Sequence, residues 1–446
     1  SESEFDLTFG ADLSTDEKNK QLASTASSSR STSETDNLDF DLSLTQKLAT
    51  GADYELNFTN SRDETNSTSA TLNPAYSSEL ELSLTQPILK DYGVALNKRN
   101  IYIAKNNVAI SDFEFKSKVI DIISDVESSY WDLVFSIDDL EVKKKSLERA
   151  RDLERRVKAQ VAVGIMAPIE TLQAESEVAS REELLLAAQD LIKDNEDNLK
   201  NILNIDFEST EGIKSIVPAE HPEVIADEIT IDEAIKKALS QRPDYLAKKR
   251  ELENQDILVK YRENQIYPSV DLVGSLGLNG LSGEGTGKYQ GDYGNALSDT
   301  LSGDYYNWEV GIKLSYPLGN RSAKSQLTAS RLEKAQLLLS IKNLEKDIIV
   351  EARQAIRQIK TDAKRLQASE VAEKLAKEQL KAEEKKFKVG LSTSFNVLEF
   401  QEGLAEKQRN ELKAIIDFNK SKIRLRQTLA TTLENHNIKL QEEEDF

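Results

Sequence analysis

Residues 94–163 contain neither glycine nor proline. Leu133, Ile137, Leu140 and Leu147 recur within them at helical spacing. Seventy uninterrupted helical residues extend roughly 105 Å, far beyond one compact domain. The run ends at "VGIMAP", where Gly164 and Pro168 break it. A second helix is predicted over 169–203, with Val178, Leu185, Ile192 and Leu199 seven residues apart, the spacing of a coiled-coil seam. Residues 204–228 read as irregular, with Pro218 and Pro222, and another helix is predicted over 230–266.

The same order then returns. A run over 320–389 again lacks glycine and proline and carries Leu337, Ile341, Leu344 and Ile348 on one stripe. It ends at "VGLSTSFNVLEFQ" (389–401), the counterpart of "VGIMAPIETLQAE" (163–175). Gly164 matches Gly390, Leu172 matches Leu398, and Glu175 falls opposite Gln401. A last helix is predicted over 393–433. "LSLTQPIL" (82–89) likewise matches "IKLSYPLG" (312–319), each closing a strand and opening a long helix. The chain thus reads as a tandem duplication. The helices at 169–203 and 230–266 stack end to end to the length of one long helix. The last helix lacks such a partner, so about 40 helical residues are expected ahead of Ser1.

Each half opens with period-two patterns, the mark of strands. In the first half these are Phe5, Leu7 and Phe9; Leu38 to Leu44; Tyr54 to Phe58; and Leu80 to Leu84. In the second they are Val270 to Leu278 and Trp308 to Tyr316. Polar stretches such as "STASSSRSTSETDN" and "TNSRDETNSTSATLNP" separate them and read as long loops. "NGLSGEGTGKYQGDYGN" reads as a Gly-rich surface loop. Its "GEGTG" lacks the Lys-Ser/Thr ending and following helix of a phosphate loop. Alternation alone also suits a half-buried soluble sheet. Tyr54, Tyr76, Tyr92, Trp308 and Tyr316 suit interfacial aromatic girdles, or ordinary strand packing.

Composition narrows the chemistry. The 446 residues include no Cys, and the two histidines are His221 and His436. Disulfides and thiolate metal sites are excluded, and a histidine-based catalytic or zinc site is disfavoured. A net charge of −20 with acids and bases intermixed argues against nucleic-acid binding. No run of eighteen apolar residues exists, so no transmembrane helix is expected. The mean hydropathy of −0.52 suits a soluble protein, and equally a membrane β-barrel with half of each strand facing water. The Glu-rich helices offer carboxylate pairs but no pocket, so no enzyme is expected. No cofactor and no metal are expected either.

In "SLTQPILKDYG", "YPLGNRSAKSQ" and the two "VG" turns, ordered as strands, helix, turn and helix twice over, the chain resembles the TolC-like outer-membrane efflux family. The resemblance implies an α+β membrane protein of two internal repeats. A trimeric transmembrane β-barrel continues as a long antiparallel α-helical coiled-coil tunnel across the periplasm. Its partners would be two more copies of itself, outer-membrane lipid, a periplasmic adaptor protein and an inner-membrane transporter. It would be a passive exit duct for tripartite efflux or type I secretion, in the outer membrane of a Gram-negative-type bacterium. The alternative is a non-pore coiled-coil scaffold or binding protein of the cell envelope. The expected layout is barrel strands and loops over 1–93, a helical hairpin over 94–203, an equatorial linker over 204–229 and an ascending helix over 230–267. Second-repeat strands follow over 268–319, a hairpin over 320–433 and an acidic tail over 434–446, whose end "QEEEDF" is expected to be disordered. The simplest relatives carry two strands per half. Here six strands per chain are read, or about eighteen in a trimer, unless a hairpin at 38–58 stands outside the membrane. The family's tips meet the adaptor, which falls on Gly164, Ile165, Gly390 and Leu391. Its acidic gate positions fall on Asn396 and Glu399, with Glu170 as the first-half counterpart. Its basic gate-linking position is Ser392 here. Glu399 reads otherwise as one more solvated carboxylate.

Overall fold

The computed structural model describes residues 2–209, 212–219, 229–285 and 288–440, apart from 22–31. The tail 441–446, His221 and part of the 204–229 linker lie outside them. Six strands form one antiparallel sheet in sequence order: β1 (Thr8–Gln21), β2 (Thr32–Lys47), β3 (Asp53–Thr65), β4 (Leu72–Pro87), β5 (Ser269–Gly285) and β6 (Tyr306–Ser315). The helices are α1 (Val94–Asn97), α2 (Arg99–Ala162), α3 (Pro168–Ile202), α4 (Ile231–Gln241), α5 (Pro243–Asn264), α6 (Tyr293–Ser302), α7 (Arg321–Lys388), α8 (Ser394–Thr428) and α9 (Thr432–Asn435). The chain divides into two compact units. One comprises Ser1–Val108 with Arg250–Leu338, and the other Ala109–Lys249 with Leu339–Phe446. Among the described residues no helix is long and apolar enough to cross a membrane.

In the first unit, residues paired across the sheet share a face. One face carries Phe9, Leu13, Leu38 to Leu44, Leu56, Phe58, Leu80 to Leu84, Leu276 and Trp308 to Leu314. The other carries Asp12, Asp39, Asp41, Glu55, Glu79, Glu81, Asp271 and Glu309. The apolar face is half-buried to exposed, with Leu82 at 48% and Val310 at 70%. The hairpin at 38–58 is part of this sheet as β2 and β3.

The strands are longer than the apolar alternation. β2 begins at Thr32 and β3 continues to Thr65, inside stretches that read as loops. A ladder needs backbone partners, not apolar side chains. There polar side chains add cross-strand bonds, such as Asn19 Nδ2 to Glu34 Oε1 at 3.2 Å. The first strand also starts later than its alternation, because Phe5 closes a 3-10 turn over Glu2–Phe5.

The Gly-rich stretch differs from its reading as a loop. Gly283 and Gly285 lie in β5, and α6 follows; residues 286–287 lie outside the described residues. Asp292 caps α6 by accepting from Asn295 N, and Gly303 ends it at φ 74°. The helix lies against β4 and β5. Thr300 Oγ1 donates to Ser78 O at 2.9 Å, and Tyr293 OH donates to Asn60 Oδ1 at 2.8 Å. Glycine at 280 permits this approach, since a Cβ there would stand 1.9 Å from Ala296 O.

The second unit is helical. α2, α3, α7 and α8 match the predicted helices closely. The single helix predicted over 230–266 is instead two, α4 and α5. Pro243 has no N–H and disfavours helical backbone at Arg242, which is extended at φ −65°, ψ 121°. Arg242 then bonds Asp244 and Glu351. Near the turns, Leu153, Val157, Leu380, Val397, Leu398 and Leu404 form a buried cluster joining α2, α7 and α8.

Candidate functional site

The two repeated turns have one geometry. Gly164 has φ +75° and Gly390 φ +74°. Ile165 N donates to Gln160 O, and Leu391 N donates to Lys386 O, each at 2.9 Å. Both bonds span five residues and satisfy a carbonyl left free at a helix end, as in a Schellman turn. The next helix starts at Pro168 in the first turn. In the second, Thr393 caps α8 by accepting from Asn396 N at 3.3 Å. A Cβ on either glycine would meet nothing within 4 Å, so these glycines serve backbone conformation rather than close packing.

Each turn presents an apolar pair to solvent. Val163 and Ile165 are 70% and 73% exposed, and Val389 and Leu391 are 69% and 79% exposed. Met166 and Phe387 point back onto the buried cluster. The tips thus hold apolar side chains out on a fixed, folded base.

The four polar residues near the tips are placed as follows. Glu170, in the first turn of α3, accepts from Ser394 Oγ at the start of α8. Ser392 Oγ donates to Glu383 Oε1 at 2.6 Å, and Lys386 Nζ donates to Glu383 Oε2 at 2.9 Å. The Lys386 and Ser392 bonds hold the Glu383 carboxyl below the usual range. Asn396 Nδ2 reaches Ser392 Oγ at 3.4 Å. Glu399, one turn beyond Asn396, is exposed on α8.

Two further groups escaped the sequence reading. Arg181 on α3 is 4% exposed. Its Nη1 donates to Ser146 O on α2 at 3.0 Å and to Gln401 Oε1 on α8 at 3.1 Å. Its Nη2 donates to Leu398 O at 3.3 Å, and its Nε to Glu177 Oε1 at 2.7 Å. One guanidinium fork therefore ties three helices together. The seam supplied the signal. Seven residues after Ala174, three after Val178 and four before Leu185, the alternate heptad position that should be apolar holds an arginine. Asp139 on α2 is 1% exposed, with Lys143 Nζ at 3.1 Å and Arg409 Nε at 3.3 Å. The matched positions Glu175 and Gln401 differ in role. Gln401 meets buried Arg181, whereas Glu175 pairs with Lys158 at 2.8 Å. Hydrogen bonds that Lys158 donates to Glu154 and Glu175 push its ammonium up to about 12. Among the described residues no group of three or more His, Cys, Asp or Glu side chains is arranged to hold a metal ion.

The model of the family described as outer membrane efflux protein matches residues 12–204 and 234–431. Nodulation protein T of Rhizobium leguminosarum bv. trifolii is 24% identical over 351 residues, 76% of this chain and 68% of that protein. The fold is similar to the CmeC outer membrane channel of Campylobacter jejuni, with a TM-score of 0.67, 16% identity, and coverage of 96% of this chain and 78% of that one. It is also similar to the outer membrane protein VceC of Vibrio cholerae, with a TM-score of 0.65, 17% identity, and coverage of 96% and 88%.

Proposed function

The chain belongs to the outer membrane efflux protein family, and on that premise we propose that it is the exit duct of a tripartite efflux or type I secretion assembly. Members of this family are outer-membrane channels, not enzymes, and this chain is a protein of the outer membrane. The observation that carries the duct reading is the sheet. One face is apolar and exposed from β1 to β6, the other is polar and acidic, and both edge strands are open. Lipid does not tolerate an open edge. Three copies close the sheet into a barrel with the acidic face inward.

In this reading the two repeats divide as the sequence suggests. Strands at 1–93 and 268–319 build the wall, hairpins at 94–203 and 320–433 with the helical segment at 230–267 build the periplasmic tunnel, and 204–229 links them. The tips meet the adaptor through Gly164, Ile165, Gly390 and Leu391, whose apolar neighbours suit a partner's helical hairpin. Glu399 and Asn396 line the constriction, and Glu170 fixes its wall through Ser394. A non-pore envelope scaffold gives no reason for a wide, exposed, one-sided apolar sheet. The test is planar-bilayer recording of the purified protein. Stepwise trimeric conductance is expected; a folded monomer without conductance sinks the reading.

A further inference from the structure

The apolar band on the sheet is tilted. Thr8, Thr45, Glu55, Ser83, Ser275 and Glu309 lie on one line of paired residues across β1 to β6. Call "above" the direction in which β1 runs. On β2 the band reaches from Leu44, one residue above that line, to Leu38, seven above. On β4 it reaches from Leu84, one below, to Leu80, three above. On β6 it reaches from Leu314, five below, to Tyr306, three above. The band therefore falls by about one residue per strand. A step of ~3.3 Å along for each ~4.8 Å across is a tilt of about 35°. That is the strand tilt of a membrane barrel.

The first hairpin shares this band. β1 carries Phe9 and Leu13 outward and Asp12 inward, opposite Asp41. β1 and β6 also run in opposite directions, so one copy's β6 meets the next copy's β1 antiparallel, the sense of every other pairing in the sheet.

Resting on the duct reading above, we propose that the β1–β2 hairpin is built into the barrel wall and that β1 is its seam, pairing with β6 of a second copy of this chain. Carrying the one-residue fall across the seam, with outward residues opposite outward residues, narrows the register to two. Phe9 faces Ile312 or Leu314 of the next copy, and Leu13 faces Trp308 or Val310. Three such seams close a wall of about eighteen strands, in the size range of barrels that enclose an aqueous channel.

The chain has no cysteine, so introduced pairs report without background. Leu13→Cys is combined in turn with Trp308→Cys and Val310→Cys, and Phe9→Cys with Ile312→Cys and Leu314→Cys. Oxidation should give covalent dimers and trimers, reversed by reductant, in one of the two registers; single-cysteine proteins should give none. Phe58→Cys with Val310→Cys is the opposing pair. A bond there between copies places β3 at the seam and the first hairpin outside the wall, which overturns the proposal. Absence of a bond in all four seam pairs, in protein that is trimeric by native mass, also overturns it. A wild-type protein that is a folded monomer defeats the duct reading itself, and the seam with it.

Discussion

At the scale of single residues, the buried charges make the sharpest claims. Arg181 occupies a seam position otherwise held by Ala174, Ala188 and Asn195 and satisfies two carbonyls, an amide and Glu177 at once. Removing it strands those partners in a dry interface. Arg181→Ala should destabilise the helical unit by about 2–4 kcal/mol, read as a lower melting temperature of the helical signal. An unchanged melt would show that water replaces the guanidinium. Glu411 on α8 runs the other way. Burial, then Glu373 and Glu370, push its carboxyl above the usual range. A carboxyl raised by folding binds its proton more tightly in the folded state, so its ionisation costs stability at neutral pH. That cost fades as pH falls through the folded pKa toward the unfolded one. Glu411→Gln should therefore stabilise the helical unit at pH 7 by less than about 1 kcal/mol after solvent screening, read as a higher melting temperature. The gain should vanish at pH 4, and an equal gain at both pH values would rule out the electrostatic cause.

At the scale of elements, the turns rest on backbone conformation. Both glycines are left-handed with open space around the missing Cβ, so strain and not collision sets the cost of replacement. A β-branched residue there costs about 1–2 kcal/mol, whereas asparagine tolerates the conformation. Gly164→Val and Gly390→Val should impair crosslinking to the adaptor while leaving trimers intact, and Gly164→Asn should retain most coupling. Equal coupling in the Val and Asn variants would show that the turn's shape is irrelevant to docking. These turns were legible in the sequence because glycine and proline punctuate two otherwise unbroken helical runs. So were the six strands, through their period-two leucines. α6 was not, because ten residues inside a Gly-rich stretch carry too little periodicity, and its warrant is the groove at Gly280. The break at Arg242 was legible in principle, since Pro243 announces it. The polar strand ends were not, because a ladder's backbone bonds leave no mark on side-chain hydropathy. Arg181 is harder to read because it lies on the second heptad position, with Ala174, Ala188 and Asn195, whose small and polar side chains mark a seam less plainly than Val178 to Leu199 do.

At the scale of the duct proposed above, two acidic regions would compete to set ion selectivity: the inner face of the proposed barrel and a ring of Glu399 at the second tip. Strands ~4.8 Å apart and tilted 35–45° put a wall of about eighteen strands roughly 17–19 Å from the axis. The Debye length in 0.15 M salt is about 8 Å, so carboxylates such as Asp41 and Glu79 on that wall are screened from an ion at the centre. A constriction is different. On the proposed reading, three copies of Glu399 around a narrow pore would stand within a Debye length of the ion and of one another, which would raise local cation concentration. They also offer a trivalent cation the oxygen ligands that hard cations prefer. Asn396 one turn away adds no charge, and Ser392 bonds Glu383 within its own chain rather than latching a neighbour through a base. The block should therefore be modest and the closed state loosely held. Glu399→Ala should abolish most cation selectivity and trivalent block in planar bilayers at 0.15 M salt. Residual selectivity should reappear when salt is lowered tenfold, because the Debye length then grows to about 25 Å and the wall charges reach the axis. If the variant keeps wild-type reversal potential and block at both salt concentrations, Glu399 is a solvated helix carboxylate and the selective ring lies elsewhere.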